Sequence, residues 1–154
     1  MKGNEESLLL DDRELSLKLF VILSKAYKVI MDRAVRDMKR YGLSPSEFTV
    51  LELLYHKGRF PLQQIGGKIL VTSGSITYNI DKLEEKGYLK RIPSTEDRRV
   101  TYAEITAAGR ERFDNIFPDH AHVIETIMQG LAPEEKAEAI GLLKKLGLEA
   151  QKMI

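Results

Sequence analysis

Cysteine is absent from this 154-residue sequence. Its absence excludes disulfides, thiolate zinc sites and any sensing of oxidants through a thiol, and it fits a reducing, cytoplasmic setting. Long apolar runs are missing too. No stretch approaches the roughly 20 residues that a membrane span needs, so no membrane association is expected. The opening residues, MKGNEESLLLDDRE, are acidic around a short leucine stretch and are not expected to act as a secretory signal. Internal repeats and low-complexity segments do not occur. Neither do the motifs of the common hydrolases and nucleotide enzymes: there is no G-x-S-x-G and no H-E-x-x-H. Gly67-Lys68 matches the end of a phosphate loop, but Leu62 stands where its first glycine belongs and Ile69 follows the lysine. The chain is therefore not expected to be an enzyme or to need a cofactor.

What is present is one ordinary domain's worth of soluble sequence, 43% hydrophobic and 31% charged. The net charge of +1 is unevenly spread. Between His56 and Thr101, nine Lys and Arg face five Asp and Glu, or +4, which leaves the rest at −3. A basic middle between acidic flanks is a polyanion footprint, with a mixed solvated surface as the alternative.

Periodicity gives the architecture. From Asp11 to Tyr41 the apolar residues Leu15, Leu19, Ile22, Leu23, Ala26, Ile30 and Ala34 keep to one broad helical stripe, stopped by Gly42. Ser44-Pro45-Ser46-Glu47 is a helix start, with Ser44 as cap, Pro45 at the first position and Glu47 placed to close a capping box. A second helix follows to Lys57-Gly58, and Pro61 opens a shorter one through Leu70. Gly66 and Gly67 within it imply close packing against a neighbour. A fourth helix spans Ser73 to Lys86. Then the period changes: Tyr88–Ile92 and Val100–Ile105 read as two strands joined by the polar loop Pro93–Arg99. Thr106 caps another long helix, and Pro133 begins the last. The expected fold is mainly α with a small β-hairpin, a winged helix-turn-helix flanked by long N- and C-terminal dimerisation helices. Its expected divisions are 1–43 for the N-terminal dimerisation helix, 44–108 for the winged helix-turn-helix and 109–154 for the C-terminal dimerisation helices. The flanking helices carry more apolar surface than one small domain uses, which points to a symmetric homodimer.

The stretch TSGSITYNIDKLEEKG carries the chemistry. With Ile76, Ile80 and Leu83 turned inward, Ser75, Tyr78 and Lys82 fall on the opposite side, and Ser73, Thr77 and Asn79 on the flanks. Small hydroxyls and amides at a helix N-terminus can approach base edges in a major groove, and a lysine further along can hold a phosphate. The alternative is a cap with solvent-facing neighbours. In the loop, Arg98 and Arg99 suit insertion into a narrow minor groove. Asp97 can fix the orientation of a guanidinium through a charge-assisted pair.

These features together resemble the winged helix of the MarR (multiple antibiotic resistance regulator) family. Gln64-Ile65, Ser75-Ile76-Thr77, Lys82-Leu83-Glu84-Glu85-Lys86-Gly87, Asp97-Arg98-Arg99 and Ile105-Thr106-Ala107-Ala108-Gly109 carry the resemblance. It implies a transcriptional regulator of double-stranded DNA. The protein would be a homodimer on a palindromic operator, usually a repressor, released by a small-molecule effector. Arg99 would be the wing arginine and Asp97 its orienting partner. LELLYHKG…PLQQIGGKIL is further similar to the branch that responds to quinones and phenolics. The implied effector site lies between the dimerisation helices and the winged helix. Tyr27, Met31, Phe48 and Tyr55 are its candidate lining, with ordinary core packing as the alternative.

Two other readings compete. His120 and His122, in Pro118-Asp119-His120-Ala121-His122, raise a zinc-responsive regulator of the same fold, but i and i+2 on a helix face different ways. An ordinary polar helix start accounts for that segment, and no metal is assigned. The winged helix could also serve as a protein-interaction module.

Overall fold

Asp11 starts the first helix by accepting, on Oδ1, the Glu14 backbone N–H at 2.8 Å. The computed structural model describes residues 5, 9–70 and 75–153. In it, helix α1 spans Asp12–Lys39, and the chain turns at Gly42 with φ of 73°. Helix α2 is Pro45–Lys57, its cap Ser44 Oγ accepting from Glu47 N at 3.1 Å. The capping box is not used as expected, because the Glu47 carboxylate goes to Lys86 Nζ at 2.6 Å. Strand β1 is Arg59–Pro61, followed by a 3-10 helix at Leu62–Gly67. Helix α3 is Ile76–Glu85, strands β2 and β3 are Leu89–Pro93 and Thr101–Ile105, and helices α4 and α5 are Ala107–Ile127 and Pro133–Gln151. Among the described residues no helix is long and apolar enough to cross a membrane.

The sheet has three antiparallel strands in the order β1-β3-β2, with Phe60 opposite Ala103 and Arg91 opposite Ala103 from the other side. Only the hairpin was expected. The additional strand, β1, is three residues long and contains proline, too short to show alternation and acceptable only at an edge. The helix after Pro61 is also shorter and tighter than its pattern implies. Of its two glycines, Gly66 is closely packed, since a Cβ there would lie 2.6 Å from Ile76 Cδ1, whereas a Cβ at Gly67 would meet nothing within 4 Å among the described residues.

Phe48, Leu51, Leu54, Ile65, Leu83, Phe113 and Ile116 form the fully buried centre, where α2, α3 and α4 meet the sheet. Phe48 packs between Tyr41, which it stacks on, and the tilted ring of Phe113, with centroids at 6.1 and 5.4 Å. Helix α1 contributes only its last turns through Ala34, Asp37 and Met38, and α5 buries nothing. Leu17, Phe20 and Leu148 remain 63%, 71% and 62% exposed.

The winged-helix unit closes at one tight crossing. Thr106 Oγ1 donates to the Gly87 carbonyl at 2.5 Å and accepts from Gly109 N at 3.0 Å, capping α4. Thr106 N donates to the Tyr88 carbonyl at 3.1 Å. That carbonyl lies so close to Gly109 that a Cβ would stand 2.1 Å from its oxygen. Glycine is the residue this approach admits.

Candidate nucleic-acid interface

Helix α3 begins later than its sequence suggests. Ser75, in extended conformation, is the cap, and its Oγ accepts from Tyr78 N at 3.4 Å. Ser73 lies outside the described residues. Ile80 and Leu83 face inward as expected, while Ser75, Thr77 and Tyr78 are exposed. Lys82 Nζ sits 5.3 Å from the Tyr78 ring centroid and 3.4 Å from Glu85 Oε2. The neighbouring Glu85 charge, chiefly, raises the lysine's pKa, so it stays a cation.

Asn79 does not belong to this outward surface. It is 3% exposed, its Oδ1 accepts from Ser44 Oγ at 3.2 Å, and its Nδ2 donates to the Ser75 carbonyl at 2.8 Å. The helical angle placed it on a flank, and the neighbouring α2 terminus draws it inward.

Two acidic residues of α3, Asp81 and Glu84, share Arg91 of β2 as a partner. Its Nη2 reaches Asp81 Oδ1 and its Nη1 reaches Glu84 Oε1, each at 2.6 Å. These bonds set one positive charge between two carboxylates, offsetting part of their charge, and fasten the hairpin to α3.

At the hairpin tip, Ser94 Oγ accepts from Glu96 N and Asp97 N, both at 3.2 Å, which shapes the turn. Asp97 Oδ1 accepts from Arg99 N at 3.0 Å and Arg99 Nε at 3.2 Å, and Oδ2 accepts from Arg99 Nη2 at 3.2 Å. The side-chain bond from Arg99, then the backbone bond, hold the Asp97 carboxyl below its ordinary pKa. Arg99 itself is 90% exposed along its side chain. Arg98 is exposed beside it. One support was not foreseen: Gln63 Nε2 donates to the Arg99 carbonyl at 3.0 Å, joining the 3-10 helix to the wing.

Behind α2 lies a cleft of about 470 Å³ between α1 and α4, lined by Met31, Ala34, Met38, Glu52, His120 and Met128 among others. Its polar corner is built. His120 Nδ1 lies 2.8 Å from Asp37 Oδ2, and Asp37 Oδ1 also accepts from Arg40 Nη1 and Tyr41 OH. A carboxylate only accepts, so the Nδ1 position carries hydrogen and Nε2 turns toward Glu52 Oε2, at 3.8 Å. Desolvation raises the Glu52 pKa, partly opposed by His120.

Of the four residues expected to line an effector site, Met31 alone reaches this cleft. Phe48 is core, its ring 4.6 Å from that of His120. Tyr27 is 61% exposed on α1. Tyr55 packs against Phe113 and Phe117 and donates its hydroxyl to Asp114. His120, Glu52, Met38 and Met128 line the cleft without having been among the expected residues. The signal for His120 was available, since Phe113, Ile116, His120 and Ile124 share one helical stripe. The segment was instead read as a helix start, yet Pro118 lies inside α4. His122 is exposed while His120 is buried, and among the described residues no group of three or more His, Cys, Asp or Glu gathers to hold a metal.

Comparison with known proteins fits this geometry. The MarR family profile matches residues 43–101. The HTH-type transcriptional regulator MhqR of Bacillus subtilis (strain 168) is 53% identical over 138 residues, covering 90% of this chain and 95% of its own. Two Streptomyces coelicolor structures share the fold. AbsC, a MarR family transcriptional regulator, has a TM-score of 0.78 at 20% identity, covering 93% of this chain and 97% of its own. Sco3205, a MarR family regulator solved in complex with DNA, has a TM-score of 0.75 at 19% identity, covering 92% and 89%.

Proposed function

Since this chain belongs to the MarR family of DNA-binding, helix-turn-helix transcriptional regulators, we propose that it is a homodimeric repressor of a palindromic operator, released by a small hydroxylated aromatic ligand. The observation that carries the DNA-contacting part is the pairing of an outward Ser75–Tyr78–Lys82 surface with a wing whose Arg99 is oriented by Asp97. Ser75, Thr77 and Tyr78 read base edges, Lys82 holds phosphate, and Arg98 and Arg99 enter the minor groove. The unburied apolar residues of α1 and α5 supply the dimer surface, so residues 1–43 and 109–154 serve association and 44–108 serve DNA.

The effector part rests on the cleft. Its walls are apolar, its methionines adapt to flat rings, and its polar atoms are His120 Nε2 and the Glu52 carboxyl. Such a corner receives a phenolic hydroxyl, which donates to one group and accepts from the other.

The test is titration of the protein into labelled operator-length DNA across a salt series, with and without a simple hydroquinone. Binding should weaken steeply with salt, by counterion release, and should weaken again with hydroquinone present. No DNA binding at any salt would overturn the regulator reading. Binding by a monomer would overturn the dimer, and indifference to hydroquinone would overturn the effector class.

A further inference from the structure

Asn79, Leu83 and Lys86 stand at i, i+4 and i+7, on one stripe of α3 and just past its end. Leu83 is fully buried and Asn79 nearly so, while Lys86, just past the helix end, is exposed but has its ammonium turned to the start of α2. Both polar ends of the stripe are tied to the start of α2. At the N-terminal end, Ser44 Oγ donates to Asn79 Oδ1 at 3.2 Å, and Asn79 Nδ2 donates to the carbonyl of Ser75, the cap residue, at 2.8 Å. At the C-terminal end, Lys86 Nζ donates to Glu47 Oε2 at 2.6 Å and to the Gly42 carbonyl at 3.4 Å. Glu47 is 7% exposed, so its carboxylate has little water and relies on this ammonium.

The two ties are seven residues apart, about 10 Å along a helix axis. A helix held at one point can swing and roll about it. Held at two, on the same stripe, it has a fixed tilt and a fixed rotation. Base-edge hydrogen bonds tolerate little error in either, whereas phosphate contacts are forgiving.

We propose that Lys86 and Asn79 are positioning residues of the DNA-reading helix, setting the angle at which Ser75, Tyr78 and Lys82 meet the bases while touching no DNA themselves. This rests on α3 being that helix. Lys86 then differs in role from Lys82, although both are lysines of the same KLEEK segment: Lys82 pairs with Glu85 on its own helix, whereas Lys86 crosses to Glu47 of α2.

The experiment compares operator and random-sequence DNA over a salt series for Lys86→Met, Asn79→Ala and the charge exchange Glu47→Lys with Lys86→Glu. For Lys86→Met the expected result is roughly a tenfold loss of operator affinity, with random-DNA affinity and the salt slope unchanged. If Lys86 is a phosphate contact, both affinities fall together and the slope shrinks by about one, which overturns the proposal. The exchanged pair should bind operator more tightly than either of its single variants. If the exchanged pair instead binds as weakly as the single variants, the clamp is refuted. Asn79→Ala should lose operator preference while a melting curve shows it folded at the assay temperature, and a retained preference would remove Asn79 from the role. Should Lys86→Met not fold, the exchanged pair decides: restored folding with restored preference supports the clamp, and restored folding without preference refutes it. Wild-type protein that binds no DNA at all would defeat the underlying reading before any variant is made.

Discussion

Replacing Gly109 by alanine adds one methyl group at the most crowded backbone crossing of the winged helix. Its Cβ would stand 2.1 Å from the Tyr88 carbonyl oxygen, 2.9 Å from the carbonyl carbon and 3.0 Å from Ile105 Cγ1. The first two are backbone atoms, and Tyr88 is pinned by the bond its oxygen accepts from Thr106 N. Overpacking of this kind costs about 1–3 kcal/mol, and loss of the displaced hydrogen bond adds about 1 kcal/mol. Alanine's better helix propensity returns at most about 1 kcal/mol. The net cost is thus about 1–3 kcal/mol, and at about 2–4 °C per kcal/mol for a chain of this size the melting midpoint should fall by about 2–12 °C. Calorimetry or circular dichroism at a fixed protein concentration measures it. A midpoint equal to or above that of the parent would show that Tyr88 yields freely, and would refute the argument that this junction is rigid.

Other outcomes follow from the interface and the cleft. Arg99→Ala should weaken operator binding by about five- to 150-fold without moving the melting midpoint, because the side chain is exposed; unchanged affinity in a direct titration refutes the wing assignment. Tyr78→Ala should change which sequences emerge from a binding-site selection more than it changes general affinity, and the selected half-sites should lie about 10 base pairs apart centre to centre. Glu52 holds its proton more tightly folded than unfolded, because burial raises its pKa. Its contribution to stability is therefore greatest below the unfolded pKa and declines as pH rises through the folded one. Glu52→Gln should abolish that decline in melting curves recorded against pH, and parallel curves for the two proteins would refute it.

What could be read from the sequence was what local rules govern. The Ser44 and Thr106 caps, the proline start of α2, the wing turn and the Asp97–Arg99 pair all depend on residues within a few positions of one another. What escaped depends on partners far along the chain. Glu47 looks like a capping-box residue until Lys86 is brought to it, and Asn79 looks like a flank residue until Ser44 meets it. His120 finds Asp37 across 83 positions, and from that single contact the cleft acquires its polar corner. Phe48 and Tyr55 lie away from the cleft for a related reason. Aromatic residues were chosen for chemistry, but Phe48 and Tyr55 were claimed by a ring cluster with Phe113 and Phe117 that no spacing rule announces.

The unburied length of α1 and α5 makes abundance a structural variable. A subunit on its own leaves Leu17, Phe20 and Leu148 in water, so as a homodimer it gains stability only as fast as it meets copies of itself. Dilution would then lower its melting temperature, and the active fraction would climb more steeply than the amount made. For the proposed repressor, that would turn a graded supply of protein into a sharper threshold of silencing, set by surface outside the proposed DNA and effector sites.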